Sequence, residues 1–198
     1  MQILVFDMGH VFIDFEWDAV CHGFCVKSGK SAEDLREVMS AVSQLGYESG
    51  KVDTTTFLAE INRHLGVEIT REEFEQLWTH TFRENLEMAE LLQKLRSQRP
   101  LYLLSNTNEV HYEWLQRMFN VERHFDELIL SYKVGSSKPE AEIYREVLKR
   151  CGRPASDCLF IDDLECNIKA AAALGMHTIH FRGVAELKQK LSELGFTV

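Results

Sequence analysis

The chain opens on an unbroken apolar run, Ile3-Leu4-Val5-Phe6, closed by Asp7 and followed by Gly9. Four apolar residues ending in an acid and a turn glycine predict a strand buried on both faces. The period then changes. From about Phe15 to Asn85 apolar positions recur at three- and four-residue steps, and no strand pattern interrupts them. Trp17, Val20, Cys21 and Phe24 share one face. Ser31, followed by Glu33 and Asp34, opens a second helix with Leu35, Val38, Met39 and Val42 inward. Gly46-Tyr47-Glu48-Ser49-Gly50 reads as a loop. Thr54, Thr55 and Thr56 precede Phe57, Ile61 and Leu65, and Gly66 closes that helix. Thr70 with Glu73 forms a capping box ahead of Phe74, Leu77, Trp78 and Phe82. Four helices are therefore inserted directly after the first strand.

From Met88 onward strand and helix alternate. Leu101-Tyr102-Leu103-Leu104, Leu128-Ile129-Leu130, Cys158-Leu159-Phe160-Ile161 and Thr178-Ile179 predict strands. Helices carrying Leu91, Leu92 and Leu95, then Val110, Trp114 and Leu115, then Ile143, Tyr144 and Val147, then Ala170 to Leu174, separate them. Such alternation predicts an α/β fold: a Rossmann-like, doubly wound parallel sheet with helices on both faces. The expected division is a core of residues 1–14 and 86–198 and an all-helical, four-helix cap of residues 15–85.

Composition narrows the function more than the fold. The 198 residues, 45% hydrophobic and 27% charged, match ordinary globular usage and suffice for one α/β core plus an insertion. A net charge of -9 argues against a nucleic-acid partner, which usually meets a basic face. The five cysteines form no paired CxxC set with zinc spacing, so they read as reduced thiols. No apolar run reaches membrane-spanning length and no signal-peptide pattern opens the chain, so a cytoplasmic protein without a membrane partner is expected. Monomer and homodimer fit equally.

Four polar clusters stand at or just beyond predicted strand ends: Asp7, Ser105-Asn106, Lys138 and Asp162-Asp163. Taken alone, Ser105-Asn106 reads as a helix cap and Lys138 as a loop lysine. Asp162-Asp163 is different, because adjacent carboxylates after a buried strand repel unless a cation or donor neutralises them. Strand ends of a doubly wound sheet converge on one edge, where such folds bind ligands. Gathered there, carboxylates suit a hard cation such as Mg²⁺, while a hydroxyl, an amide and an ammonium suit phosphoryl oxygens.

These clusters, in this order, resemble the haloacid dehalogenase-like hydrolases, in the branch with a helical cap after the first strand. The four motifs are Phe6-Asp7-Met8-Gly9-His10-Val11, Leu104-Ser105-Asn106-Thr107-Asn108, Ser137-Lys138-Pro139-Glu140, and Phe160-Ile161-Asp162-Asp163 with Asn167. The likeness spans the chain and is nearest to sugar-phosphatases of the α-glucose-1-phosphate phosphatase type, then to the phosphatase domain of soluble epoxide hydrolase. Tyr47-Glu48-Ser49-Gly50-Lys51-Val52 also resembles their cap loop. The resemblance implies Mg²⁺-dependent hydrolysis of small phosphorylated metabolites, sugar phosphates among them, through an aspartyl-phosphate. It implies Asp7 as nucleophile, Ser105, Asn106 and Lys138 as phosphate ligands, Asp7, Asp163, Asp162 and the Gly9 carbonyl around the metal, and Asn167 behind them.

The chain departs from the family at Gly9, where most of its phosphatases carry a second aspartate that protonates the leaving alcohol. General acid–base assistance is worth about 10²–10⁴-fold. His10 is a substitute proton carrier on one reading and only a turn residue on the other. The dehalogenase branch also lacks that aspartate, so a metal-independent 2-haloacid dehalogenase is one alternative, and a non-catalytic relative binding a phosphorylated ligand is another. Phe15, Trp17 and Tyr47 are candidate pocket residues, and hinges are expected near Asp14–Glu16 and Asn85–Glu87.

Overall fold

A computed structural model describes residues 1–198. In chain order the elements are β1 (Ile3–Phe6), β2 (Ile13–Asp14), α1 (Trp17–Ser28), α2 (Ala32–Ser43), α3 (Thr54–Leu65), α4 (Arg71–Thr79), β3 (Arg83–Glu84), α5 (Leu86–Arg96), β4 (Leu101–Ser105), α6 (Glu109–Phe119), β5 (Glu127–Leu130), α7 (Ser131–Val134), α8 (Ala141–Cys151), β6 (Cys158–Asp162), α9 (Glu165–Ala173), β7 (His177–His180) and α10 (Val184–Glu193). Five strands form one parallel sheet in the order β5-β4-β1-β6-β7.

Alternation along β1 shows why its four apolar residues are needed. Leu4 and Phe6 join one buried cluster with Leu91 and Leu95 of α5 and Leu187 and Leu191 of α10. Ile3 and Val5 join another, on the opposite face, with Ile143, Tyr144 and Val147 of α8 and Ala171 of α9. A strand sandwiched between helix layers has no solvent face, so it reads as a continuous apolar run. This is the expected Rossmann-like parallel sheet.

The four inserted helices build their own apolar cluster from Val20, Phe24, Leu35, Phe57, Phe74 and Trp78, joined by Val110 of α6. Capping boxes at Ser31–Asp34 and Thr70–Glu73 set two of their starts, and Asp53 caps α3. Two features depart from the sequence reading. Arg83–Glu84 is a strand, pairing antiparallel with Ile13–Asp14 where the chain enters and leaves the inserted helices. Two residues carry no readable period. Helix α10, not anticipated, closes one face of the sheet. No helix is long and apolar enough to cross a membrane.

Candidate active site

The carboxyl ends of β1, β4 and β6 bring three of the four clusters together, and the loop after α7 adds the fourth. Asp7 follows β1 directly and is 7% exposed. Its Oδ1 accepts from the Met8 N–H at 2.7 Å and lies 2.6 Å from Lys138 Nζ. Its Oδ2 has no hydrogen-bond partner in the protein. Asp162, which ends β6, is fully buried; it receives Lys138 Nζ at 2.7 Å, Asn167 Nδ2 at 3.0 Å and the Leu164 N–H at 2.8 Å. Asn167 thus reaches the site only through Asp162. Asp163 is half-buried, and no other side chain hydrogen-bonds its carboxylate. Asp7, Asp162 and Asp163 offer oxygens that all lie within 4.8 Å of one another.

Electrostatics follow from that crowding. Burial pushes Asp7 up to about 7; Lys138 pulls it down and Asp162 pushes it up. Burial acts against the Lys138 charge, but Asp7 and Asp162 outweigh it and hold the ammonium above its usual value. Burial and neighbouring Asp162 raise Asp163, with His10 acting the other way. Each carboxylate would therefore gain from one more cation. The donor set, all oxygen, with one carboxylate free of hydrogen bonds to other side chains, suits Mg²⁺, whose opposing ligands sit about 4.2 Å apart.

The polar residues after β4 divide their work. Asn108, not Ser105 or Asn106, caps α6, its side chain accepting from the His111 N–H. Asn106 instead clamps the lysine loop: Nδ2 donates to the Lys138 carbonyl at 2.9 Å and Oδ1 accepts from the Lys138 N–H at 2.7 Å. These two bonds fix the side-chain amide, and the expected phosphate contact is left to its second Nδ2 hydrogen and its backbone N–H. Ser105, 1% exposed, keeps a hydroxyl whose one contact is a 3.3 Å bond to the Asn106 carbonyl.

Gly9 and His10 form the turn after β1. A Cβ on Gly9 would meet Phe15 Cε1 at 3.3 Å. His10 has φ 54° and stacks on Phe15 with ring centroids 4.3 Å apart. It fills a left-handed turn position, and its ring is not on the wall of the adjoining cavity.

That cavity, about 470 Å³, runs from Gly9, Ser105 and Asn106 up between the inserted helices. Phe15, Trp17 and Tyr47, the three anticipated pocket residues, all line it. The sequence reading did not single out Glu48, the one acid on its wall. It also passed over Ser131, whose hydroxyl donates to the Glu48 carbonyl at 2.5 Å and accepts from the Thr107 N–H at 2.9 Å. Its place immediately after a strand was the available signal.

With this geometry in view, comparisons with known proteins are specific. Residues 1–175 match the model of a haloacid dehalogenase-like hydrolase. The chain is 32% identical over 200 residues to a D-ribitol-5-phosphate phosphatase of Bacteroides thetaiotaomicron, covering 96% of each chain. It is 29% identical over 188 residues to a sesquiterpene phosphatase of Aspergillus oryzae, covering 89% of this chain and 87% of the other. Among solved structures, a haloacid dehalogenase family enzyme of B. thetaiotaomicron in complex with magnesium and inorganic phosphate superposes with a TM-score of 0.84 at 27% identity, covering 94% of this chain and 98% of that one. The chain belongs to the haloacid dehalogenase-like hydrolases.

Proposed function

We propose that this protein hydrolyses small phosphorylated metabolites, with Asp7 as the nucleophile and Mg²⁺ as cofactor. The single observation that carries the reading is the state of Asp7: one oxygen is held by Lys138 and Met8, the other takes no hydrogen bond, and Asp7 offers an oxygen within 4.8 Å of oxygens of Asp162 and Asp163. Phosphatase relatives and the magnesium- and phosphate-bound family structure support it.

The free Oδ2 attacks phosphorus, and the ester oxygen leaves as an alcohol after taking a proton. Water then cleaves the acyl phosphate on Asp7, releasing phosphate and regenerating the carboxylate. Lys138 neutralises charge on the phosphoryl oxygens, and the Ser105 hydroxyl and Asn106 N–H orient them. Asp163, Asp7 and the Gly9 carbonyl would hold Mg²⁺, with Asp162 positioning Lys138. When bound, the ion adds positive charge where the transferring group develops negative charge. Residues 15–85 act as a cap over the site, hinged where β2 and β3 pair. On the narrower substrate class the relatives point two ways, the ribitol-phosphate phosphatase to sugar phosphates and the sesquiterpene phosphatase to an apolar organic group. The carboxylate triplet favours this reading over metal-free dehalogenation.

The test is p-nitrophenyl phosphate hydrolysis with Mg²⁺, with EDTA, and in Asp7→Asn. We expect turnover only in the first. Undiminished activity in chelator removes the metal from the mechanism, and full activity in Asp7→Asn removes the nucleophile.

A further inference from the structure

We infer that the cavity above the phosphoryl site is an apolar chamber, selective for phosphomonoesters whose organic group is a short hydrocarbon or aromatic body rather than a polyol. The inference rests on the phosphatase reading and concerns the other half of the substrate. Phe15, Trp17, Tyr47, Phe57, Trp78 and Phe82 line the chamber. Its walls present few polar atoms: Trp78 Nε1, Thr107 Oγ1 and His111 Nε2 have no hydrogen-bond partner but lie buried behind the lining. The Tyr47 hydroxyl is bonded to Thr54 Oγ1 at 2.9 Å. His111 stacks on Trp78, and burial depresses its ring to about 3, so it is uncharged at neutral pH. At about 470 Å³ the chamber falls in the usual small-molecule range of roughly 300–1,000 Å³. A polyol chain would bury several hydroxyls there, and each one left unpaired costs roughly five- to 150-fold in affinity.

The test is an n-alkyl phosphate series from ethyl to hexyl, in which leaving-group chemistry is constant, with D-ribitol 5-phosphate alongside. Each methylene buried should raise kcat/KM about fourfold until the chamber is full. Hexyl phosphate should then exceed D-ribitol 5-phosphate. Trp17→Ala, at a side chain 44% exposed and so tolerant of truncation, should flatten the series. A flat wild-type series, an undiminished slope in Trp17→Ala, or preference for the ribitol ester overturns the chamber while leaving the phosphatase reading intact. Failure to hydrolyse any ester, p-nitrophenyl phosphate included, overturns that reading and the chamber with it.

A separate observation carries a second inference: the geometry points to Glu48 as the proton donor to the leaving oxygen. Gly9 supplies no acid, and His10 is off the cavity wall, whereas Glu48 is the one acid upon it. Its loop is locked to the core beside the phosphoryl site. The Glu48 carbonyl is held by Ser131, which in turn holds Thr107. Gly50 approaches so closely that a Cβ there would lie 2.1 Å from the Tyr132 carbonyl oxygen. Burial raises the Glu48 carboxyl, and Lys138, the charged group whose field reaches it, opposes the rise. As the Asp7–phosphorus bond forms and the ester P–O bond breaks, Glu48 gives its proton to the departing oxygen. The proton of the water that cleaves the acyl phosphate leaves on the released phosphate, and Glu48 regains its own proton from solvent.

Glu48→Gln keeps the docked backbone and removes the proton. Hexyl phosphate turnover should fall by about 10²-fold or more. p-Nitrophenyl phosphate, whose phenolate leaves unaided, should change by less than about threefold by the same argument. Equal losses on the two esters, or no loss on either, overturn the assignment.

Discussion

Lys138 Nζ lies 2.6 Å from Asp7 Oδ1 and 2.7 Å from Asp162 Oδ2, so one buried ammonium ties together the ends of β1 and β6. The link is both structural and chemical. Lys138→Met would leave two buried carboxylates without their cation, and breaking a buried pair in this way costs about 3–5 kcal/mol. Urea unfolding should show a loss of that order together with loss of phosphatase activity. A variant as stable as the parent would mean that the ion pair contributes little net.

Asn106 has a different task, holding the backbone on both sides of Lys138. Asn106→Ala should remove two hydrogen bonds worth about 0.5–1.5 kcal/mol each. It should also let the lysine wander, and misplacement near 1 Å costs about 10²-fold in rate. We expect kcat for p-nitrophenyl phosphate to drop far more than stability accounts for. Unchanged kcat would show that the loop holds itself.

Gly9→Asp tests the missing acid directly. The new Cβ sits 3.3 Å from Phe15 Cε1, so the Phe15 ring must yield slightly. In the parent, where Glu48 already donates, hexyl phosphate turnover should change little. In Glu48→Gln the same substitution should restore a substantial part of the lost rate. Gain in the parent with none in the double variant would count against Glu48.

His111 makes stability depend on pH. Its ring is depressed to about 3 by burial, against an ordinary value of 6.5. Between those values the unfolded chain binds a proton that the folded chain refuses, so folding weakens as pH falls. Stability from this residue is fully present above about pH 6.5 and drains progressively toward pH 3. Urea midpoints measured across that window should decline, and His111→Phe should lessen the decline. Identical slopes in both proteins would place the effect elsewhere.

The sequence by itself determined the frame of this protein. Ile3-Leu4-Val5-Phe6 had to be buried on both faces, because no residue in the run tolerates water, and the strand-helix alternation after Met88 left a parallel sheet as the natural outcome. Asp7 and Asp162-Asp163 were legible because charge at the end of a buried strand needs a partner; Lys138, in the loop after α7, was legible only through its motif. The partners themselves were not legible. That Lys138 grips Asp7 and Asp162, that Asn106 is engaged by the lysine loop while Asn108 caps the helix, and that Glu48 and Gly9 line one cavity are all facts of tertiary approach. Period and propensity report only which face of an element is apolar. Which distant polar group completes a site depends on how the elements pack, and that information lies in no local stretch of chain.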